Sequence, residues 1–565
     1  MNRVGRPADD IRAALALALA LPAVTLAVLR PPEFVGVGRI ALGSFAAAAA
    51  LLFAWRPPVA GKGTGRAAAL LLPVALACVA TAPCRARALD EAAQFEVLVL
   101  LGLLGFAAAR DARSWRLVPT LLLVLASGAA VQAILQTHWL YPGQAEILRA
   151  GGTPVDDNLI LRLEAGRPSG PFILPSSLGG FLALALPGTL VLARHAASRW
   201  SRAFLVVAVI LQVYALVRTR SLGGLAAAAG GLLLALPAMT VRRRTAGSLL
   251  VALTALALAG WFLHLRRAEI GQGPGGDPLL LRAGNWRAAA QMIGDRPLLG
   301  VGPGSFGTAY PRYMRAGMNE TRFAHNSYLQ VASCWGIWAL APLGVMLLGM
   351  YRKVGARFSV GGAPGRDEGV RLAVAAGAAG FLFHNLVDFT FYLPGIAAPA
   401  ALLIGMTLGD GERPTVAAGW RRQGQRLAAT SAAVLIGWNT LVSGRADASM
   451  EAARRTAEAG DVMIAASAAR HAAAARPGSP EPWAFLAQLV LVHHMDDDLL
   501  RREGLEAAVR AARLDPESAI LHHTLALYHA SAGERAPAYL EEHRAHLLYP
   551  LKSEYRTPAV PVGEP

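Results

Sequence analysis

Little of this chain is charged: 16% of its residues are Asp, Glu, Lys or Arg, against 54% hydrophobic ones. Cysteine is scarcer still. Cys78, Cys84 and Cys334 are too few and too scattered for a disulfide framework or a zinc site. Lysine is rare as well; with the abundance of Ala, Gly, Pro and Arg this reflects genome composition and carries no functional reading. A cleavable signal peptide is not evident, because the first apolar run leads into further runs of the same kind. The net charge of +17 raises the question of nucleic acid. The arginines, however, sit in short tracts between apolar runs, so membrane topology is the better cause and no nucleic-acid partner is expected.

What is present is a succession of apolar runs from Ile11 to Val442. A helix needs about 20 residues to cross hydrocarbon. Spans are expected near 11–29, 40–55, 67–82, 92–109, 117–135, 171–192, 203–217, 222–239, 248–265, 327–350, 372–391, 393–408 and 427–442. That makes about twelve to thirteen spans by hydropathy. The expected fold class is all-α, a polytopic transmembrane helical bundle over 1–445. Alternate connections are rich in arginine, as at Arg110/Arg113/Arg116, Arg242/Arg243/Arg244 and Arg352/Lys353/Arg357. The positive-inside rule puts this set in the cytoplasm. The two long loops, 138–170 and 266–326, then lie outside. An odd span count puts everything after Arg445 outside too.

The region 446–550 reads differently: alanine-rich, amphipathic and soluble in character. Pro477, Trp483, Leu486 and Ala487 recur in kind as Pro516, His522, Leu525 and Ala526, and Pro550 closes a further unit. The step from Pro516 to Pro550 equals the tetratricopeptide period of 34. Two to three such α-helical repeats are expected, with a plain helical bundle as the alternative. Repeats of this kind usually bind another polypeptide, which implies a protein partner. Residues 551–565 are expected to be a disordered tail.

The chemistry-bearing residues cluster at the outer loops. Arg282 and Trp286 are spaced to share one helix face. Gly300, Gly302 and Gly304 form a turn whose amides suit an anion, although most glycine-rich turns bind nothing. His325 precedes a span and is followed by Asn326. A histidine there is more often an interfacial polar residue than a catalyst; Arg282 and Arg322 in the same loop favour chemistry. Arg167-Pro-Ser-Gly-Pro-Phe172 leads into Pro175-Ser-Ser-Leu-Gly179, where capping explains the prolines but not Arg167. Arg218 and Arg220 break the charge asymmetry at an outer span end, whether as snorkelling residues or as ligands. His384 and Asp388 stand within an apolar segment, either as a structural pair or as acting groups.

These motifs, in this order over roughly 92–408, resemble the O-antigen ligase and O-antigen polymerase superfamily of bacterial inner-membrane glycosyltransferases. The resemblance rests on Arg167-Pro-Ser-Gly-Pro-Phe172, Thr219–Gly223, Arg282-x-x-x-Trp286, Arg296-Pro-Leu-Leu-Gly-Val-Gly-Pro-Gly-Ser-Phe306, Ala324-His-Asn-x-Tyr-Leu-Gln330 and the His384/Asp388 segment. Members with attached tetratricopeptide repeats are similar over the tail as well. The resemblance implies transfer of a glycan from a polyprenyl-diphosphate carrier to a lipid, glycan or protein acceptor at the extracytoplasmic face, without metal or cofactor. It implies that Arg282 and Arg167 hold the diphosphate, with Arg218, Arg220 and Arg322 as further contacts. His325 would sit where the acceptor hydroxyl meets the anomeric carbon, and Trp286, Asn326, Gly302, Gly304, His384 and Asp388 would support it. Two positions depart from the pattern. The family usually has Ser-Arg-Gly where Ser221-Leu222-Gly223 stands, and often a glutamate where Cys334 stands. The competing readings are a polysaccharide transporter or flippase, for which no inverted repeat is evident, and a non-catalytic scaffold of polysaccharide assembly.

Overall fold

The computed structural model describes residues 7–29, 43–48, 74–150, 157–239, 278–359, 366–411, 419–493 and 497–555. All regular structure among them is helical. The membrane part comprises α1 (Pro7–Leu29), α2 (Arg85–Ala108), α3 (Ser114–Leu135), α4 (Tyr141–Ala150), α5 (Asp157–Glu164), α6 (Pro175–Arg194), α7 (Arg199–Thr219) and α8 (Leu222–Met239). It continues with α9 (Pro278–Asp295), α10 (Phe306–Tyr313), α11 (Ser327–Trp335), α12 (Leu340–Ser359), α13 (Arg366–His384) and α14 (Pro394–Gly409). Among the described residues, five segments are long and apolar enough to cross a membrane: Arg85–Ala108, Ser114–Ala150, Pro175–Arg194, Arg199–Thr219 and Ile337–Val354. The protein is a multi-pass membrane helical bundle. The span expected at 248–265, most of that at 40–55 and the first part of that at 67–82 (67–73) lie outside the described residues.

Glycines set how closely the helices pack. A methyl on Gly105 or Gly405 would overlap the carbonyl of Leu402 or Gly102, so α2 and α14 touch backbone to backbone. Gly377 and Gly380 of α13 do the same against Leu184 and Ala183 of α6. Where lipid removes the hydrophobic drive between helices, such close approach supplies the packing. The face of α7 carrying Phe204, Val207 and Ile210 stays exposed, as a lipid-facing stripe must.

Two expected spans and one expected loop are corrected. The run 327–350 is not one helix: Gly336 adopts φ 87°, and a methyl there would overlap the Leu298 carbonyl. The chain therefore turns between α11 and α12. The run 372–391 ends as a helix at His384 and continues as a turn and a 3₁₀ segment, Thr390–Tyr392, so His384 and Asp388 do not share a helix face. Part of the loop 138–170 is helical, since α3 runs through a π-turn (Gln136–Leu140) into α4.

The connections after α2, α6 and α14 and the start of α13 meet at one end of the bundle. There Arg371 of α13 pairs with Asp410 and lies over Trp115, Lys353 donates to the Asp410 carbonyl, and Gly369 packs on His195. The described parts of the two long loops, 138–150, 157–170 and 278–326, lie at the other end.

Helix α15 (Gly419–Glu458) runs through the expected boundary at 445/446 and carries the chain to that second end. There follow α16 (Val462–Ala475), α17 (Pro480–His493), α18 (Asp498–Leu514), α19 (Ala519–Ser531) and α20 (Arg535–Leu548). Their core is small-residue packing of Ala465, Ala469, Ala487, Ala508 and Ala511 around Leu486, Leu525 and Tyr528. Of the tail expected at 551–565, residues 551–555 are described, and Ser553–Tyr555 forms a 3₁₀ turn. Tyr555 is buried there, edge-on to Tyr549 and beside His523.

Candidate functional site

His325 sits in the connection from α10 to α11 with φ 53°, one of two non-glycine residues with positive φ among those described; Arg220 is the other. A bulky residue in this region costs about 1–3 kcal/mol and persists only where its surroundings hold it. The surroundings are visible. The Trp286 indole donates to the His325 carbonyl at 3.2 Å. Asn326 caps α11, accepting from the amides of Tyr328 and Leu329 at 3.0 Å each. The imidazole lies edge-on to Phe389, 4.9 Å between centroids, and Phe389 stacks on Phe323 at 4.3 Å.

Asp388 stands between two histidines. Its Oδ1 is 3.9 Å from His325 Nδ1 and its Oδ2 is 3.9 Å from His384 Nε2. Asp388 and His384 are buried, and Asp388 Oδ2, His384 Nε2 and His325 Nδ1 all lack hydrogen-bond partners. Polar atoms so left are rare in a folded interior and mark a site that something else completes. The scaffold around them, by contrast, is fully bonded. Ser327 donates its amide to the carbonyls of Asn385 and Asp388 and its hydroxyl to Asn385 Oδ1 at 2.5 Å. Asn385 donates to the Phe381 carbonyl and accepts from the Phe391 amide. Ser327 and Asn385 were not singled out from the sequence. The tandem His325-Asn326 and His384-Asn385 is the signal that points to the second.

The arginines approach from two sides. Arg282 on α9 acts electrostatically on both His325 and His384. Burial holds the His325 pKa below the ordinary histidine value; Asp388 pulls it back up and Arg282 pushes it further down. Across the site, Arg167 donates to the Thr219 carbonyl at 3.3 Å and Arg218 packs over Gly166. Arg220 closes α7 in the left-handed conformation, turning the chain into Ser221 and α8. Gly179 and Gly224 touch there, and Gly180 and Gly223 leave room for the His384 ring. Contacts thus run from Arg167 through Thr219 and the α8 start to His384, Asp388 and His325, and from His325 to Trp286 on the helix that carries Arg282. Arg322 is exposed, with its stem on Gly307, and stands outside this buried cluster.

The glycine turn has a different role from the one expected. Its φ values are 67°, 103° and 71° at Gly300, Gly302 and Gly304. Its amides are occupied: Gly300 bonds Arg296, Val301 bonds Ser333 and Gly302 bonds Cys334. Gly304 does bind an anion, but one from this chain, the Glu91 carboxylate at 2.8 Å. Glu91 also accepts from the Trp335 indole at 2.6 Å and from Tyr392 at 3.4 Å. Glu91 was missed from sequence, although a carboxylate in a span is itself a signal. It lies within electrostatic reach of Cys334. Among the described residues no group of three or more His, Cys, Asp or Glu is arranged to hold a metal ion.

Residues 207–344 match the family model described as O-antigen ligase. The match takes in Thr219, Arg282, Trp286, the glycine turn and His325, and stops short of Arg167, His384 and Asp388. The comparison with curated proteins found no match.

Proposed function

We propose that this chain, which carries an O-antigen ligase family domain over residues 207–344, transfers a glycan from a polyprenyl-diphosphate carrier to a hydroxyl acceptor at the extracytoplasmic face of the bacterial inner membrane. The observation that supports this most is a carboxylate-facing His325 of positive φ within electrostatic reach of Arg282. A diphosphate is a competent leaving group once its developing charge is stabilised, and arginine offers planar, permanently charged contacts for it. In this reading the acceptor oxygen attacks the anomeric carbon as the carbon–oxygen bond to the diphosphate breaks. The bonding electrons leave with the polyprenyl diphosphate, which Arg282 and Arg167 hold, with Arg218 and Arg220 behind them. The acceptor proton passes to His325, whose Nδ1 faces Asp388 and whose other ring nitrogen meets the substrate. The pair at 3.9 Å closes by about an ångström to hydrogen-bond distance as the imidazolium forms. The apolar helices provide the surface for the polyprenyl chain.

The experiment is transfer by the purified protein from a labelled lipid-linked glycan. Arg282→Ala is expected to lower the rate by on the order of 10²–10³ while the protein remains inserted. Full transfer by that variant removes Arg282 from its role. Label that crosses a proteoliposome membrane without changing its carrier would instead identify a transporter. The labelled product distinguishes a glycan acceptor from a lipid or protein one.

A further inference from the structure

The carboxy-terminal helical domain does not hang free; three of its turns land on the membrane part. Each turn has the same construction. Arg476, Asp515 and Tyr549 immediately precede Pro477, Pro516 and Pro550. Their backbones are nearly identical, with φ/ψ of −139°/73°, −141°/78° and −142°/78°. A residue before proline is driven out of the helical region, so each helix ends there and the side chain projects from one edge of the domain.

Every one of the three finds a partner. Arg476 grips Asp90 with both terminal nitrogens at 2.8 Å and donates to the Ala86 carbonyl at 3.0 Å. Asp515, 1% exposed, pairs with Arg87, which also bonds Glu481 at 3.3 Å and the Thr308 hydroxyl. The Tyr549 hydroxyl donates to Glu320 at 2.9 Å. Beside them Arg296 pairs with Glu517 at 2.7 Å, and Met314 packs against Ala519 and Tyr549. Thr308, Met314 and Glu320 belong to the loop that ends in His325. Arg87 and Asp90 sit in the first turns of α2, one turn before and next to the Glu91 that binds Gly304.

We propose that this edge of the helical domain is an intramolecular clamp, whose partner is the chain's own 295–320 segment seated on the start of α2. The charges are complementary in both directions: the helical domain supplies the cation in Arg476–Asp90 and the anion in Asp515–Arg87 and Glu517–Arg296. Complementarity of this kind fixes register. The surface a recruited protein would use therefore lies elsewhere on the domain. The clamp stands on these contacts; only its consequence for turnover rests on the transfer reading.

Hydrogen exchange of the full chain in lipid nanodiscs tests it, with the amides of residues 296–320 as the readout. Asp515→Asn removes the charge facing Arg87 and leaves that guanidinium short of a buried partner. Exchange in 296–320 is expected to quicken by about tenfold or more. Arg296→Glu sets two carboxylates together at a more exposed pair and is expected to quicken it by roughly two- to fivefold. Arg296→Glu combined with Glu517→Arg is expected to restore the wild-type pattern, which a misfolded loop would not do. Wild-type exchange in Asp515→Asn, or failure of the charge swap to restore protection, overturns the clamp. Loss of transfer in Arg282→Ala leaves the clamp untouched, and its persistence there does not rescue the clamp, so the two readings fail separately.

Discussion

The indole N–H of Trp286 is bonded to the backbone carbonyl of His325 at 3.2 Å. One residue of α9 therefore holds the loop residue on which the chemistry is proposed to turn, in a backbone conformation that few non-glycine residues adopt. Arg282 lies one helical turn earlier on α9, so the phosphate contact and the support of the base are set by one rigid element. Trp286→Phe keeps the ring and removes the bond. Transfer is expected to fall roughly five- to tenfold, with unchanged insertion; a loss as deep as that of Arg282→Ala would show that the indole does more than position.

The pH dependence follows from burial of His325. Its folded pKa lies below the ordinary histidine value, so the neutral, proton-accepting form persists to lower pH than for an exposed histidine. The acid limb of the transfer rate should fall below the ordinary histidine range. Asp388 raises the His325 pKa, so Asp388→Asn should move that limb to still lower pH while reducing the maximum rate. A shift towards higher pH contradicts the assignment of His325 as the titrating group.

Gly180 offers a test that alters no polar group. A methyl there would lie 2.7 Å from the His384 ring and 2.9 Å from Thr390. Gly180→Ala is expected to displace His384 and lower transfer by about tenfold, the size of effect a misplaced site residue produces. Gly128→Ala, with open space around its added methyl, serves as the control and should transfer normally.

Glu91→Gln turns an acceptor-only carboxylate into an amide facing three donors, from Gly304, Trp335 and Tyr392. At least one donor then meets another donor, at a cost of about 1–3 kcal/mol. The thermal midpoint in detergent should drop and the glycine turn should become protease-sensitive. Glu91→Asp, too short to span the three groups, should behave similarly.

Much of this was legible in the sequence because it was local. Apolar length located the helices at 92–109, 117–135 and 203–217, and the ordered motifs located Arg282, Trp286 and His325. Other features depend on partners far along the chain. Gly336 breaks a run of span length because Leu298 lies against it, which hydropathy cannot register. Glu91 reaches Gly304 across 213 positions, so the glycine turn looked like a vacant anion site when its anion was already supplied. Arg87 and Asp90 read as ordinary residues at a span edge, and only folding shows them facing Asp515 and Arg476.

Helix α15 is a single rod of 40 residues, about 60 Å long, and it leads without a hinge from one end of the bundle to the helices beyond. Adding one residue midway would turn everything downstream by about 100°, facing Arg476, Asp515 and Tyr549 away from their landing points. Across evolution, insertions and deletions in this shaft can be tolerated only in whole helical turns or alongside a redrawn contact surface, whereas the sequence of its outward side is free to drift.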